Sequence, residues 1–261
     1  MRRAKIVCTM GPAVESPENV TRLVSAGMNV ARLNLSHGSY EEHQVRLDRV
    51  REAANKASKA IAILVDLQGP KIRLGRFENG PHELARGDIF TITTDEISGT
   101  KERASTTYKG LPGDCKAGDR ILIDDGKVAV EVTEVNGSDV VTKCVEPGAI
   151  SNNKGLNLPG VAVSVPALSE KDREDLRWGL RAGADFIALS FVRSAKDIDD
   201  VHRIMEEEGI KLPVIAKIEK PQAVANLAEI VETFDGIMVA RGDLGVEMPI
   251  EEVPLVQKRC I

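Results

Sequence analysis

Val214-Ile215-Ala216-Lys217-Ile218-Glu219 and, one unit later, Ile237-Met238-Val239-Ala240-Arg241-Gly242-Asp243 decide the fold of this chain. Each is an apolar, strand-like run that closes on a carboxylate with a cation two positions upstream. Side chains alternate with period two along a strand, so Lys217 is expected to share a face with Glu219, and Arg241 with Asp243. A run this apolar is covered on both faces, as in a parallel sheet wrapped by helices, where free charge is rarely tolerated. Two carboxylates and two cations at such strand ends need partners. A divalent cation holding a phosphorylated ligand satisfies all four. The alternative is a pair of buried salt bridges, Lys217–Glu219 and Arg241–Asp243.

The same strand grammar recurs upstream. Ala4–Thr9, Asn29–Ser36, Ile61–Leu67 and Phe186–Val192 are short, apolar and β-rich. Helix signals fall between them. Ser16 precedes Pro17 and a stripe of Val20, Leu23 and Val24 that ends at Gly27. Ser39 stands three residues before Glu42, Ser169 before Asp172 and Ser194 before Asp197, each a capping-box spacing. Strand–helix repetition with polar residues gathered at strand C-terminal ends is the pattern of an α/β (β/α)₈ barrel. A doubly wound sheet would carry a Gly-rich phosphate loop after its first strand, and the chain has neither G-x-G-x-x-G nor a Walker A sequence. Six barrel strands are expected, with Ile261 early in the sixth helix, so the barrel reads as incomplete.

From about Gly69 to Val165 the helical period disappears. Short alternating strands such as Val128–Val135 and Val140–Cys144 are punctuated by Asn79-Gly80, Asp125-Gly126 and Asn136-Gly137, which are hairpin-type turn signals. The expected organisation is barrel residues 1–69, an inserted small β-barrel domain at 70–165, and barrel residues 166–261.

The 261 residues suffice for a full core. A net charge of −5 and an aromatic content of 3% argue against a nucleic-acid surface, which needs basic stripes and stacking platforms. No apolar run approaches a membrane span, and the basic start breaks at Gly11-Pro12, too soon for a secretory signal. Cys8, Cys115, Cys144 and Cys260 lie far apart and read as reduced thiols, so a cytoplasmic location is expected. His37, His43, His82 and His202 show no ligand spacing. Trp178 is expected in the core or at its rim, and Asp124 and Asp125 in a hairpin turn.

Polar residues on the earlier strands extend the candidate site. Arg32, Asn34 and Ser36 alternate onto one face while Leu33 and Leu35 take the other. Asp66 ends the third strand and is followed by Leu67-Gln68-Gly69-Pro70-Lys71-Ile72-Arg73. Glu219 and Asp243 are 24 positions apart, about one barrel unit, and would end neighbouring strands. Mg²⁺ takes one or two carboxylates and completes its shell with substrate oxygens and water. Lys217 suits a phosphoryl oxygen as a point charge, and Arg32 and Arg73 can clamp others.

Lys5–Pro12, Asn29–Gly38, Asp66–Arg73, Asn157-Leu158-Pro159-Gly160, Lys217-Ile218-Glu219 and Ala240–Gly245 together, in order along the whole chain, resemble the pyruvate kinase family. The Lys-Ile-Glu and Gly-Asp-Leu-Gly elements alone are shared with metal-dependent aldolases of the pyruvate class. The resemblance implies transfer of phosphate from phosphoenolpyruvate to ADP, giving pyruvate and ATP. It implies Mg²⁺ or Mn²⁺ on Glu219 and Asp243, with Lys217 stabilising the phosphoryl group and the enolate. It also implies substrate contacts at Arg32, Arg73, Gly242 and Asp243, nucleotide contacts at Pro12, His37, Arg73 and Lys154, and a homotetramer for the full-length family. The β insertion is placed as a lid over the barrel mouth.

Many pyruvate kinases also bind K⁺ through residues matching Asn34, Ser36, Asp66 and the carbonyl of the next residue. Those enzymes carry Thr and Glu where this chain has Leu67 and Lys71. A Lys ammonium at that site supplies the same positive charge, so the sequence predicts a K⁺-independent subtype. The family continues with two further barrel strands and a regulatory domain, so the chain reads as an N-terminal portion.

Overall fold

The computed structural model describes residues 3–161 and 163–261. The chain opens with β1 (Val7–Thr9), α1 (Pro17–Ala26), β2 (Val30–Asn34), α2 (Tyr40–Lys56) and β3 (Ala62–Asp66). There follow β4 (His82–Leu84), β5 (Ile89–Thr93), β6 (Arg103–Ser105), α3 (Leu111–Asp114), β7 (Arg120–Ile123), β8 (Val128–Asn136), β9 (Asp139–Glu146), β10 (Gly148–Ile150) and β11 (Leu156–Asn157). Alternation then resumes with α4 (Glu170–Arg181), β12 (Phe186–Leu189), α5 (Asp199–Glu208) and β13 (Val214–Ile218). The last elements are α6 (Pro221–Ala225), α7 (Leu227–Thr233), β14 (Gly236–Val239), α8 (Arg241–Glu247) and α9 (Val253–Cys260).

Two compact units emerge. The first comprises the chain up to Pro70 with Ala167–Ile218 and Gln222–Val239; the second comprises Lys71–Pro166, Glu219–Pro221 and Ala240–Ile261. Short pieces around Glu219 and after Val239 thus group with the inserted segment, a division that strand periodicity does not foreshadow.

The first unit is built on one sheet in the order β1-β2-β3-β12-β13-β14, with every pairing parallel. Each strand lies beside the strand of this sheet that precedes it in the chain, and the order never reverses. A doubly wound sheet reverses at its switch point, so sequential order is the barrel pattern. The central strands are apolar because they are covered: Ile63, Val65, Ile187, Leu189, Val214, Ala216 and Ile218 are buried. Capping follows the sequence signals. Ser16 Oγ accepts the Asn19 N–H at 3.2 Å, and Gly27 closes α1 at φ 107°. Ser39 with Glu42 and Ser169 with Asp172 form reciprocal capping boxes. Trp178 is half-buried and stacks on Tyr40 with ring centroids 5.4 Å apart.

At the opposite, N-terminal end of this sheet one device repeats three times. The Asx residue just before a strand accepts an early backbone N–H of the preceding strand segment: Asn29 from Ile6, Asp185 from Ile63 and Asp235 from Val214. These bonds satisfy donors at the strand starts and fix the stagger of neighbouring strands.

The second unit holds a sheet ordered β11-β7-β8-β9-β5-β6 and the pair β10-β4. Its core gathers Phe90, Ile92, Ile121, Ile123, Val130 and Val140. The alternating burial of β9 is what one packed face and one wet face require. Asp125-Gly126 turns β7 into β8, with Asp124, Asp125 and Gly126 all at positive φ, and Asn136-Gly137 turns β8 into β9. Asn79-Gly80 departs from its hairpin expectation. Asn79 has φ 46°, a turn conformation, but the following β4 pairs with distant β10 rather than with a neighbour in the chain. A turn signal fixes local backbone direction and leaves the strand partner to long-range packing.

Candidate active site

Asp66 organises the strand ends of the first unit. Its position is set by register: β3 lies between β2 and β12, pairing Asp66 with Asn34 on one side and Ala188 on the other. The carboxylate is buried and faces two cations. Oδ2 receives Arg32 through Nε and Nη2, both at 2.6 Å, while Oδ1 stands 3.3 Å from Lys217 Nζ. Lys217 donates to Ser190 Oγ at 2.7 Å, and the Ser190 hydroxyl in turn donates to the Leu67 carbonyl at 2.7 Å. Arg32 donates once more, to Thr9 Oγ1 at 2.9 Å, with its side chain 24% exposed. Residues from five of the six parallel strands or the turns that follow them therefore meet in one hydrogen-bonded chain. A guanidinium has five N–H donors, so Arg32 keeps capacity for an anionic ligand.

Two further contacts shape this end. Gly69 has φ +75°, and a Cβ there would lie 2.4 Å from Phe191 Cδ2 and 2.8 Å from Ser190 Cβ. Its N–H is accepted by Asp172 Oδ1 at 2.9 Å, so the capping residue of α4 also pins the loop after β3. Phe191, immediately after Ser190, is itself at φ 56°, a conformation rare for an aromatic residue. Asn34 Oδ1 accepts the Ser36 N–H at 3.2 Å, which turns the chain out of β2. Ser36 therefore lies beyond the strand, and the period-two reading of that face ends at Asn34.

The remaining candidates of this unit are peripheral to that cluster. Pro12 and His37 are exposed. His37 offers its carbonyl to His43 Nε2 at 2.8 Å. His43 is buried, and desolvation holds its pKa below the ordinary histidine value.

In the second unit Glu219 is buried and Asp243 exposed. The shared-face expectation for Arg241 and Asp243 fails. The strand stops at Val239, and Arg241–Glu247 is a short helix that puts Asp243 in its first turn. Gly242 opens the same turn, where a side-chain-free residue leaves backbone N–H groups accessible. Two carboxylates are the hard oxygen donors that Mg²⁺ takes. Among the described residues no group of three or more His, Cys, Asp or Glu gathers as a metal cage. The donor set fits an ion that completes its shell with substrate and water.

Arg73 and Lys154 are both engaged within this unit. Arg73 Nη1 donates to the Asn153 carbonyl at 3.0 Å, and Lys154 Nζ pairs with Asp124 Oδ2 at 3.0 Å. Asp124 also holds Lys127, and hydrogen bonds from the two lysines keep its carboxyl below the usual range. The hairpin aspartate thus orients a candidate nucleotide-binding lysine. Lys71 is half-buried, with its Cε against Gly155, where a Cβ would approach to 2.9 Å.

Sequence reading missed Ser190, Thr9, Asp172, Lys220 and Glu247. Serine and threonine carry no period of their own, and Asp172 is legible only as a cap. Glu247 leaves one faint signal, a carboxylate one helical turn after Asp243 in a mostly apolar segment.

The family profile described as "pyruvate kinase, barrel domain" matches residues 1–261. The chain belongs to the pyruvate kinase family. It is 60% identical over 260 residues to the pyruvate kinase of Corynebacterium glutamicum, covering all of this chain and 55% of that protein. It is 56% identical to the pyruvate kinase of Mycobacterium tuberculosis over the same shares. Against that of Staphylococcus aureus it is 48% identical over 263 residues, all of this chain and 45% of the relative. The chain spans about half the length of the curated relatives it matches. The pyruvate kinase match accounts for the six sequential parallel strands as barrel strands and carries no support for an aldolase. Pyruvate kinases are glycolytic phosphotransferases that generally use Mg²⁺ and K⁺. Among the described residues no helix is long and apolar enough to cross a membrane.

Proposed function

We propose that this chain carries the phosphoenolpyruvate site of a pyruvate kinase and takes part in moving phosphate from phosphoenolpyruvate to ADP. The observation that supports this most directly is the Lys217–Asp66–Arg32 arrangement at the C-terminal strand ends, where barrel enzymes build their sites. A buried lysine ammonium gripped by a serine hydroxyl and a carboxylate cannot swing away, so its charge is fixed before substrate arrives.

In this reading the enol phosphate P–O bond breaks as a β-phosphate oxygen of ADP bonds to the same phosphorus. Lys217 sits against the phosphoryl oxygens in flight and against the enolate oxygen left behind, lowering the cost of both charges. Arg32 and Arg73 neutralise phosphate, and Gly242 and Asp243 contact substrate. Pro12, His37, Arg73 and Lys154 contact nucleotide. The enolate then takes a proton to become pyruvate. Glu219 and Asp243 would hold Mg²⁺ or Mn²⁺, which when bound would supply positive charge to the anionic substrate. The half-buried setting of Lys71 supports a K⁺-independent subtype in which its ammonium replaces the monovalent cation beside Asn34, Ser36, Asp66 and the Leu67 carbonyl. A homotetramer and a cytoplasmic location belong to the same proposal.

A coupled assay for pyruvate on the purified protein, with phosphoenolpyruvate, ADP and Mg²⁺, tests the reaction. Substrate-dependent pyruvate formation that Lys217→Met lowers about 10³-fold is expected, and formation unchanged by Lys217→Met overturns the assignment. Replacing K⁺ by tetramethylammonium should leave the rate unaltered, and Lys71→Glu should create a K⁺ requirement. A strong loss of rate in the unmodified protein without K⁺ sinks the subtype.

A further inference from the structure

Glu247 is the most deeply buried charged side chain of the second unit outside the sites already assigned, only 3% exposed. A single oxygen, Oε1, accepts from Lys220 Nζ at 2.5 Å and from Asn157 Nδ2 at 2.8 Å. Lys220 is itself largely covered, with 14% of its side chain exposed. The three partners come from three separate segments: the turn after Glu219, the end of α8, and β11 of the inserted sheet.

The positions of these partners matter more than the pair itself. Lys220 is the residue next to Glu219. Glu247 stands one helical turn after Asp243 on a helix of only seven residues. One buried ion pair therefore ties the turn bearing one candidate metal ligand to the helix bearing the other, and Asn157 anchors both to a strand. Glu219 and Lys220 lie between the end of β13 and the start of α6, and α8 has no side-chain cap at its start. A buried ion pair is weak evidence for stability, because desolvation offsets much of the attraction, but it fixes geometry well. We propose that Lys220, Glu247 and Asn157 form a positioning brace that sets the spacing of Glu219 and Asp243 and thereby the affinity for the divalent cation. The proposal rests on the Glu219–Asp243 metal reading above. Glu247 and Lys220 are positioning residues and touch no reacting atom.

The test is Mn²⁺ binding to the purified protein without substrate, read by electron paramagnetic resonance of the free ion. Glu219→Gln and Asp243→Asn, measured first, should abolish the binding. If they do not, the metal reading itself fails, whatever the brace does. With that control satisfied, Glu247→Gln and Lys220→Met should each raise the Mn²⁺ dissociation constant roughly 10-fold, at the lower edge of what residues supporting metal ligands contribute. The double variant should be no worse than either single, because both remove the same tether. The exchanged pair Lys220→Glu with Glu247→Lys should recover part of the affinity. A purely structural role would lower the unfolding midpoint and leave the Mn²⁺ constant unchanged, and that outcome overturns the brace. Should Glu247→Gln fail to fold, Lys220→Met decides alone, since Met keeps the length of the side chain and leaves only an uncharged stem.

Discussion

Asp66 and Asp124 do the same thing in two different settings. Each carboxylate holds two cations, Arg32 and Lys217 in the first unit, Lys127 and Lys154 in the second. Asp66 lies at the end of a central strand with 1% of its side chain exposed, and its partners come from strands on either side. Asp124 sits on a hairpin tip with 19% exposed, and Lys127 is three-quarters exposed. Burial raises the Coulombic stakes of the first cluster and makes each member dependent on the others, whereas water screens the second. The lesson is that a charge cluster in a sheet is preorganised and one on a loop is adjustable. In the proposed function Lys217 is the fixed cation for the transferring phosphate, and Lys154, held by Asp124, is the cation offered to the nucleotide.

The contrast can be broken most sharply at Lys217. Lys217→Met should cost about 10³-fold in kcat with little change in nucleotide KM, as expected when a preorganised transition-state contact is lost. Lys127→Met should leave steady-state rates within experimental error. Equal effects of the two would remove the distinction. Asp66→Ala should destabilise the protein by about 3–5 kcal/mol in urea unfolding, since it strands the buried Lys217 ammonium and the partly covered Arg32. Its counterpart Asp124→Asn should cost only about 0.2–1 kcal/mol, typical of exposed pairs. A smaller effect of Asp66→Ala than of Asp124→Asn would invert the comparison.

Gly69→Ala probes the backbone that seats Ser190. The left-handed φ and the close approach of Phe191 predict a loss of about 1–3 kcal/mol, checked by thermal unfolding. The smallest expected effect is a pH dependence. Asp124 has its native pKa lowered, so its contribution is full above the ordinary carboxylate range and disappears as pH falls through the lowered native value. Stability of the protein and of Asp124→Asn should therefore converge in acid, as followed by urea titrations across that window.

How much of this was legible beforehand varies by residue. Arg32, Asn34 and Asp66 were readable because strands alternate and charges in an apolar run stand out. Lys217 and Glu219 were readable for the same reason. Arg241 and Asp243 were read as sharing a strand face, and the helix from Arg241 removes that face, because an apolar run does not announce where β gives way to a helical turn. Ser190 was invisible: a serine after Ala188-Leu189 is an ordinary strand end until Lys217 is seen to donate to it. Glu247 hid for the same reason, its partners lying 27 and 90 positions away.

The alternation, the caps, the β segment between barrel strands and the charges at the strand ends were all legible in the order of residues. Those follow from periodicity and local backbone chemistry, which act over a few residues. It took the folded chain to show that Asp66 stands between Arg32 and Lys217, that Gly69 must be glycine because Phe191 leaves no room, and that Glu247 joins Lys220 to Asn157. Such choices depend on which distant strands become neighbours, and strand register, a property of the whole sheet, is what brings those atoms within reach.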